Sequence, residues 1–268
     1  MFNAINGQVN IDGECTDYIS FGKGEKNLII IPGVGDGLKT VKGMAIPFAF
    51  LYREFAKDFR VYVFSRPNDL KRGTTTEDMA DSLYKAMAAL DISKASVVGV
   101  SQGGMIAQHL AINHLEVVEK LVLVVTLSKP NPTVVSAINT WTEMAKVGDY
   151  KGIMLNTAEL SYSPKKVKQA KLTYGLLGSL GKPKSFDRFL IQAESCITHN
   201  AYDELDRIKC PTLVIGGTED KIVTGEASRE IAERIQGSEL LMYEGLGHGL
   251  YEEAKDFIHN VAEFCKKK

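Results

Sequence analysis

Short apolar runs alternate with amphipathic stretches along most of this chain. Asn27–Ile31, Arg60–Ser65, Ala95–Val100, Leu121–Thr126, Pro211–Gly216 and Glu239–Tyr243 are rich in Val, Ile and Leu. Several are apolar at consecutive positions, the mark of strands buried on both faces rather than one. Between them Phe48–Phe59, Glu77–Leu90, Gly104–Ala111 and Gly225–Gln236 have helical periodicity, and a last helix starts at Glu252. In Glu77–Leu90 the residues Met79, Leu83, Met87 and Leu90 form one stripe. Val9–Ile11 and Asp17–Phe21 look like an opening antiparallel pair. The alternation predicts an α/β fold: a mostly parallel, doubly wound sheet of about eight strands covered on both sides.

The rhythm stops after Thr126. From Leu127 to His199 the pattern is helical and polar, broken by Pro130, Pro132, Pro164, Gly175, Gly178, Gly181 and Pro183. It resumes at Pro211. The simplest organisation is one α/β core made from residues 1–126 and 200–268, with residues 127–199 inserted as a helical cap. No internal repeat or low-complexity tract interrupts it.

Composition narrows the setting. The 268 residues are 44% hydrophobic and 24% charged with a formal net charge of −1, which gives no electrostatic reason to expect nucleic acid or an acidic membrane surface. No apolar stretch approaches membrane-spanning length, and the first residues show neither a basic nor an apolar signal region. Cys15, Cys196, Cys210 and Cys265 are scattered without metal-type spacing and read as reduced thiols. A cytoplasmic protein acting on a small molecule is the expectation, with neither metal nor cofactor implied; the sequence sets no oligomeric state.

The candidate chemistry centres on Gly99-Val100-Ser101-Gln102-Gly103, placed between a buried strand and a helical segment. A tight strand-to-helix turn would strain the Ser101 backbone and project its Oγ above the sheet edge, while the glycines remove clashing side chains. The N–H of Gln102 would open the helix and face an oxyanion. The pentapeptide alone is weak; its context and partners carry the weight. Gly216–Val223 places Glu219 and Asp220 in the loop after a strand, and Gly245-Leu246-Gly247-His248-Gly249 places a histidine after the last strand. Loops at the carboxyl ends of parallel strands line one crevice, so Ser101, Asp220 and His248 are expected to converge there. His248 would take the Ser101 proton and Asp220 would hold its tautomer, with Glu219 as the substitute acid. Of the five histidines, His109, His114 and His199 precede any candidate acid, and His259 lies opposite the Ala254, Phe257, Ile258 and Val261 stripe.

These motifs, in the order Ser, Asp, His, resemble the α/β-hydrolase superfamily, specifically its small capped esterases, lactonases and carbon–carbon hydrolases. The resemblance covers essentially the whole chain and rests on the turn at Ser101, G-x-x-D-x-x-V at Gly217–Val223 and G-x-G-H at Gly245–His248. Ser65-Arg66-Pro67 through Glu77 also looks like the loop after the fourth strand of such proteins. The resemblance implies an oxyanion hole from the N–H groups of Val34 and Gln102. It departs from the family at Pro32, where many members have His before the glycine.

The expected activity is cleavage of a carboxylic ester or related acyl bond of a small, largely apolar substrate through an acyl-Ser101 intermediate. Lactone or carbon–carbon bond hydrolysis, acyl transfer and perhydrolysis use the same three residues, and a non-catalytic ligand receptor on this fold is the reading from another class. Trp141, Met144, Met154, Leu155, Tyr162 and Tyr174 are candidates for an acyl pocket or for the cap's own packing. Lys165, Lys166, Lys168 and Lys171 fit a solvated helix face better than an anion site. A dinucleotide site at Gly33–Gly37 is disfavoured because G-x-G-x-x-G ends on Leu38.

Overall fold

The computed structural model describes residues 2–177 and 181–267, with the backbone alone for residues 174–177. The strands are β1 (Ile5–Ile11), β2 (Glu14–Phe21), β3 (Lys26–Ile31), β4 (Phe59–Pro67), β5 (Ala95–Val100), β6 (Val118–Val124), β7 (Thr212–Gly217) and β8 (Glu239–Tyr243). They form one sheet in the order β1-β2-β4-β3-β5-β6-β7-β8. β1 and β2 pair antiparallel at one edge, and every pairing from β4 to β8 is parallel. The helices are α1 (Ala45–Leu51), α2 (Phe55–Asp58), α3 (Thr76–Ala89), α4 (Gln102–Asn113), α5 (Pro132–Lys146), α6 (Tyr150–Ser161), α7 (Pro164–Leu177), α8 (Asp187–Thr198), α9 (Gly225–Arg234), α10 (Leu250–Glu253) and α11 (Phe257–Lys266).

Strand pleating sends alternate residues to opposite faces. Ile29, Ile31, Val97, Leu121 and Leu123 pack with α3 and α4 on one face, whereas Leu28, Ile30, Val98, Val122 and Val124 pack with α1 and α11 on the other. This two-sided burial is why the central strands read as unbroken apolar runs. Local chemistry sets the helix starts: Thr75 and Asp78 form a reciprocal capping box on α3, and Asn131 caps α5 with Pro132 in its first turn.

Two helical expectations are corrected. Phe48–Phe59 is not one helix: it breaks at Tyr52, whose ring stacks on Phe55 at 5.7 Å, and Phe59 opens β4. The break turns Phe55 and Phe59 into the core while Ile46, Phe50 and Leu51 stay exposed. The last helix likewise divides into α10 and α11.

Among the described residues no strand lies between β6 and β7; α5 to α8 occupy that stretch and build a third apolar cluster around Trp141, Ile153 and Phe189. The segment leaves and returns at one neck, where Ala201 N donates to Ser128 O at 2.8 Å. Buried His199 anchors it, with Nδ1 2.9 Å from Thr76 Oγ1 and its ring edge-on to His109 at 5.1 Å. Burial, aided by the neighbouring His109 charge, pushes the His199 pKa down to about 3. The unfolded chain therefore binds a proton near pH 6.5 that the native neck refuses. His199 thus opposes acid stability: native stability is complete above pH 6.5 and falls toward pH 3, by about 1.4 kcal/mol per unit. In urea unfolding at pH 6.5 and 5.5, wild type is expected to lose about 1 kcal/mol more than His199→Asn, because half of the unfolded histidine is already protonated at pH 6.5. Equal losses would refute a buried neutral His199.

Candidate active site

Because β3 to β8 run parallel, the loops that follow them open on one edge of the sheet. Ser101 sits between β5 and α4 with φ 55° and ψ −120°, a backbone conformation that costs a non-glycine residue about 1–3 kcal/mol. The surroundings hold it there. Ser101 N donates to Val124 O at 2.9 Å, and Thr126 Oγ1 donates to Ser101 O at 2.8 Å. A Cβ on Gly99 would lie 2.4 Å from Gly103 O, and one on Gly103 would lie 2.0 Å from Ile31 O. The flanking glycines are thus required by strand–helix contact at van der Waals limits.

His248 and Asp220 are both buried, and His248 Nδ1 lies 2.8 Å from Asp220 Oδ2. The other carboxylate oxygen accepts from the N–H groups of Ile222 at 2.8 Å and Val223 at 3.0 Å. Burial pushes the Asp220 pKa up, but the facing imidazole and these bonds outweigh it and hold the carboxyl below its ordinary value. An ionised carboxylate only accepts, so Nδ1 carries the proton and Nε2 is left as the basic nitrogen. Glu219 is exposed and takes no part in this pair.

The glycines beside His248 have a tertiary cause. A Cβ on Gly249 would lie 2.2 Å from the Tyr162 ring, and one on Gly247 would lie 2.8 Å from Ser161 O. The α6–α7 corner rests on the histidine loop: Gly249 N donates to Ser161 O at 2.8 Å, and Tyr162 Oη donates to Glu252 at 2.8 Å.

Ser101 and His248 line the same cavity of about 270 Å³. Its walls are mostly apolar, from Val34, Leu38, Trp141, Ile153, Met154 and Phe189, and among the described residues no Lys or Arg lines it. Val34 begins a 3-10 turn (Val34–Gly37), and a methyl on Gly33 would stand 3.8 Å from Ser101 Oγ. The N–H of Gln102 opens α4, where no intrahelical acceptor exists for it. A larger groove of about 640 Å³ beside α5 and α8 contains neither Ser101 nor His248.

Of the sequence candidates for the pocket, Trp141, Met154 and Tyr162 line the cavity. Met144 packs into the third apolar cluster, one turn beyond Trp141, and Leu155 is not among the lining residues. The Tyr174 side chain falls outside the described residues. Lys166 pairs with Glu252 and Lys171 with Glu159, each at 2.7 Å. Sequence reasoning missed Leu38, Ile153, Thr157, Phe189, Ile222 and Tyr251 on the cavity wall. It also missed a cluster at the Val34 turn in which buried Asp36, Arg66 and Gln192 meet half-buried Arg188. Arg66 at the end of a strand carried a signal, since a charge in an apolar run demands a partner.

A chain with this sheet order, this helical insertion and this serine turn is an α/β hydrolase. The family model for the alpha/beta hydrolase fold matches residues 26–255, and the chain belongs to that family. It is 28% identical over 202 residues to the proposed carbamate hydrolase RutD of Caulobacter sp. (strain K31), covering 71% of this chain and 74% of that protein. To the pimeloyl-[acyl-carrier protein] methyl ester esterase of Vibrio cholerae serotype O1 it is 24% identical over 266 residues, covering 88% and 97%. Among solved structures, the alpha/beta hydrolase enzyme MGS-M2 from a Medee basin deep-sea metagenome library superposes with a TM-score of 0.86 at 21% identity, over 98% of each chain. Hydrolase activity is the coarse function these relatives support.

Proposed function

We propose that this protein is a serine hydrolase that cleaves a small ester, or a related acyl bond, with an apolar acyl group. The observation that carries the proposal is the strained Ser101 in one cavity with a His248 whose Nδ1 is held by a buried carboxylate.

In this reading His248 Nε2 removes the Ser101 proton as Oγ attacks the acyl carbon. The carbonyl π electrons move to oxygen, where the N–H groups of Val34 and Gln102 receive the charge. Collapse expels the alkoxide with the proton from His248 and leaves acyl-Ser101. Water, deprotonated by the same imidazole, then releases the acid and restores the hydroxyl. Asp220 stabilises the imidazolium in both halves. The reaction consumes only water.

Residues 127–199 serve as the cap: α5 and α6 contribute Trp141, Ile153, Met154 and Thr157 to the wall over Ser101. A cavity of about 270 Å³ falls just below the size that holds drug-sized ligands, roughly 300 Å³ and upward. With no cationic side chain in the wall among the described residues, a neutral short or medium acyl chain fits better than a carboxylated or long one. The four cysteines are all free thiols, which supports a reducing, cytoplasmic setting.

The test couples labelling to turnover. Wild type should take up one fluorophosphonate by intact mass, and its kcat/KM on p-nitrophenyl esters should peak between butyrate and octanoate. The palmitate ester should be at least about tenfold poorer, because its tail cannot be buried. Including a lactone, added methanol and hydrogen peroxide in the same assay separates lactone hydrolysis, acyl transfer and perhydrolysis. Saturable ligand binding without labelling or turnover would replace the enzyme reading by a receptor.

A further inference from the structure

We propose that Arg66 and the Gln102 side chain are positioning residues that hold both oxyanion donors in place only when α8 is seated against them. The inference rests on the serine hydrolase reading above.

The Gln102 side chain is fully buried and points away from the cavity, whose wall it does not join. Its Oε1 accepts from Arg66 Nη2 at 2.8 Å. Its Nε2 donates to Gln192 O at 2.7 Å and to Ser195 Oγ at 2.9 Å. The residue whose N–H is one proposed oxyanion donor is therefore clamped between β4 and α8.

The same guanidinium nitrogen, Arg66 Nη2, also donates to Pro32 O, two residues before Val34. One cation thus touches the peptide segments that carry both donors. Within the Val34 turn, Asp36, itself one of the cavity-lining residues, accepts through Oδ2 from Arg66 N at 3.1 Å and from Gln192 Nε2 at 3.3 Å, and it pairs with Arg188. Arg188 reaches further, to Arg66 O at 2.9 Å and Pro67 O at 3.1 Å.

The α8 residues in this cluster, Arg188, Gln192 and Ser195, follow i, i+4, i+7 spacing and so share one helix face. There is no slack at that seam: a methyl on Gly37 would stand 2.6 Å from Phe189 Cα. Burying two guanidiniums around one carboxylate is a poor way to add stability, because desolvation offsets most of the attraction. It is an effective way to fix a geometry, since planar guanidinium forks bind in few orientations. Neither arginine lines the cavity, so neither contacts substrate. A displacement of α8 removes Gln192, Ser195 and Arg188 from Gln102 and Asp36 together. The cap therefore reports its seating to the oxyanion hole.

Gln102→Met tests this, because it keeps the backbone N–H and nearly the volume while deleting all three side-chain bonds. With the best ester of the panel above, kcat should fall about 100-fold, the scale of losing or misplacing one oxyanion donor, while KM changes less than about threefold. Affinity for an alkyl boronic acid, whose tetrahedral adduct needs the oxyanion donors, should fall in parallel. Affinity for the carboxylic acid product should hold.

A merely structural Gln102 would lower the melting temperature and leave kcat and boronate affinity at wild-type values, which overturns the proposal. If Gln102→Met does not fold, Ser195→Ala removes a hydroxyl that accepts from Gln102 Nε2 and donates to Gln192 O, and it is read the same way, with an expected kcat loss of about 3–10-fold. A Ser195→Ala protein with unchanged kcat and boronate affinity overturns the proposal equally. Wild type that neither labels with fluorophosphonate nor binds boronate sinks the hydrolase reading itself. Labelling and turnover with indifferent variants sink only the positioning role.

Discussion

Purified Ser101→Ala is expected to lose turnover by about 10⁴–10⁶-fold on any ester the wild type cleaves, and to lose all fluorophosphonate labelling. The size follows from the chemistry. In the proposed mechanism no acyl-enzyme forms without Oγ, and the remaining cavity and proposed N–H donors supply only the residual catalysis that such sites retain over water. The control is built into the substitution. Alanine keeps the Cβ that makes φ 55° strained, so the backbone energy at position 101 does not change. The Ser101 N–H and C=O bonds to Val124 and Thr126 also stay. A melting temperature near wild type with turnover gone is the expected pair of results. Near-native turnover from a folded variant would mean that another group is the nucleophile.

Asp220→Asn should cost about 10⁴-fold in kcat, measured on the same ester. The buried carboxylate accepts from His248 Nδ1 at 2.8 Å, which leaves Nε2 free to act as base. An asparagine that turns its NH₂ toward Nδ1 favours the opposite tautomer, with the proton on Nε2, the nitrogen proposed to act as base. The acid dependence has a definite sign. The Asp220 pKa is held below 3.8 in the native state, so the stability it contributes is complete above that value and lost as pH falls through the native pKa. Asp220 therefore stays ionised across about pH 5–9, and the pH dependence of turnover in that window comes from other groups. A loss of less than about tenfold would show that His248 does not depend on this carboxylate, and Glu219 would have to be reconsidered.

Much of the core was legible because its causes are local. Alternation of buried runs with striped helices is enough to announce a parallel sheet, since each strand must cover both faces. The turn at Ser101 and the glycine-flanked His248 were readable because glycine marks where another segment comes too close for a side chain, although the segments that approach are set by tertiary contact. The helix expected over Phe48–Phe59 failed because periodicity does not register a break of a few residues, and the stacking of Tyr52 on Phe55 decides where the chain turns.

The cavity was only partly readable. Trp141 and Met154, on α5 and α6, and Tyr162, at the corner after α6, line it and Met144 on α5 does not. Which face of α5 or α6 looks over Ser101 depends on how those helices rest on the sheet. Phe189 enters the wall from α8 and Leu38 from the loop after β3, two segments far apart in sequence. The Arg66 cluster was hidden in the same way, since Asp36, Arg66, Gln102 and Arg188 carry no mutual spacing that marks them as partners.

By itself, the sequence determined the family, the order of strands and helices, and the residue types at the ends of the central strands. These follow from short-range physics: side-chain periodicity, glycine at strained turns and burial of apolar runs. The tertiary structure alone chose between Asp220 and Glu219 as the carboxylate facing His248, and it alone decided the walls of the cavity and the clamp on Gln102. Those depend on which surfaces meet across the sheet edge, a choice made by packing the inserted helices against the core and encoded at no single stretch of chain.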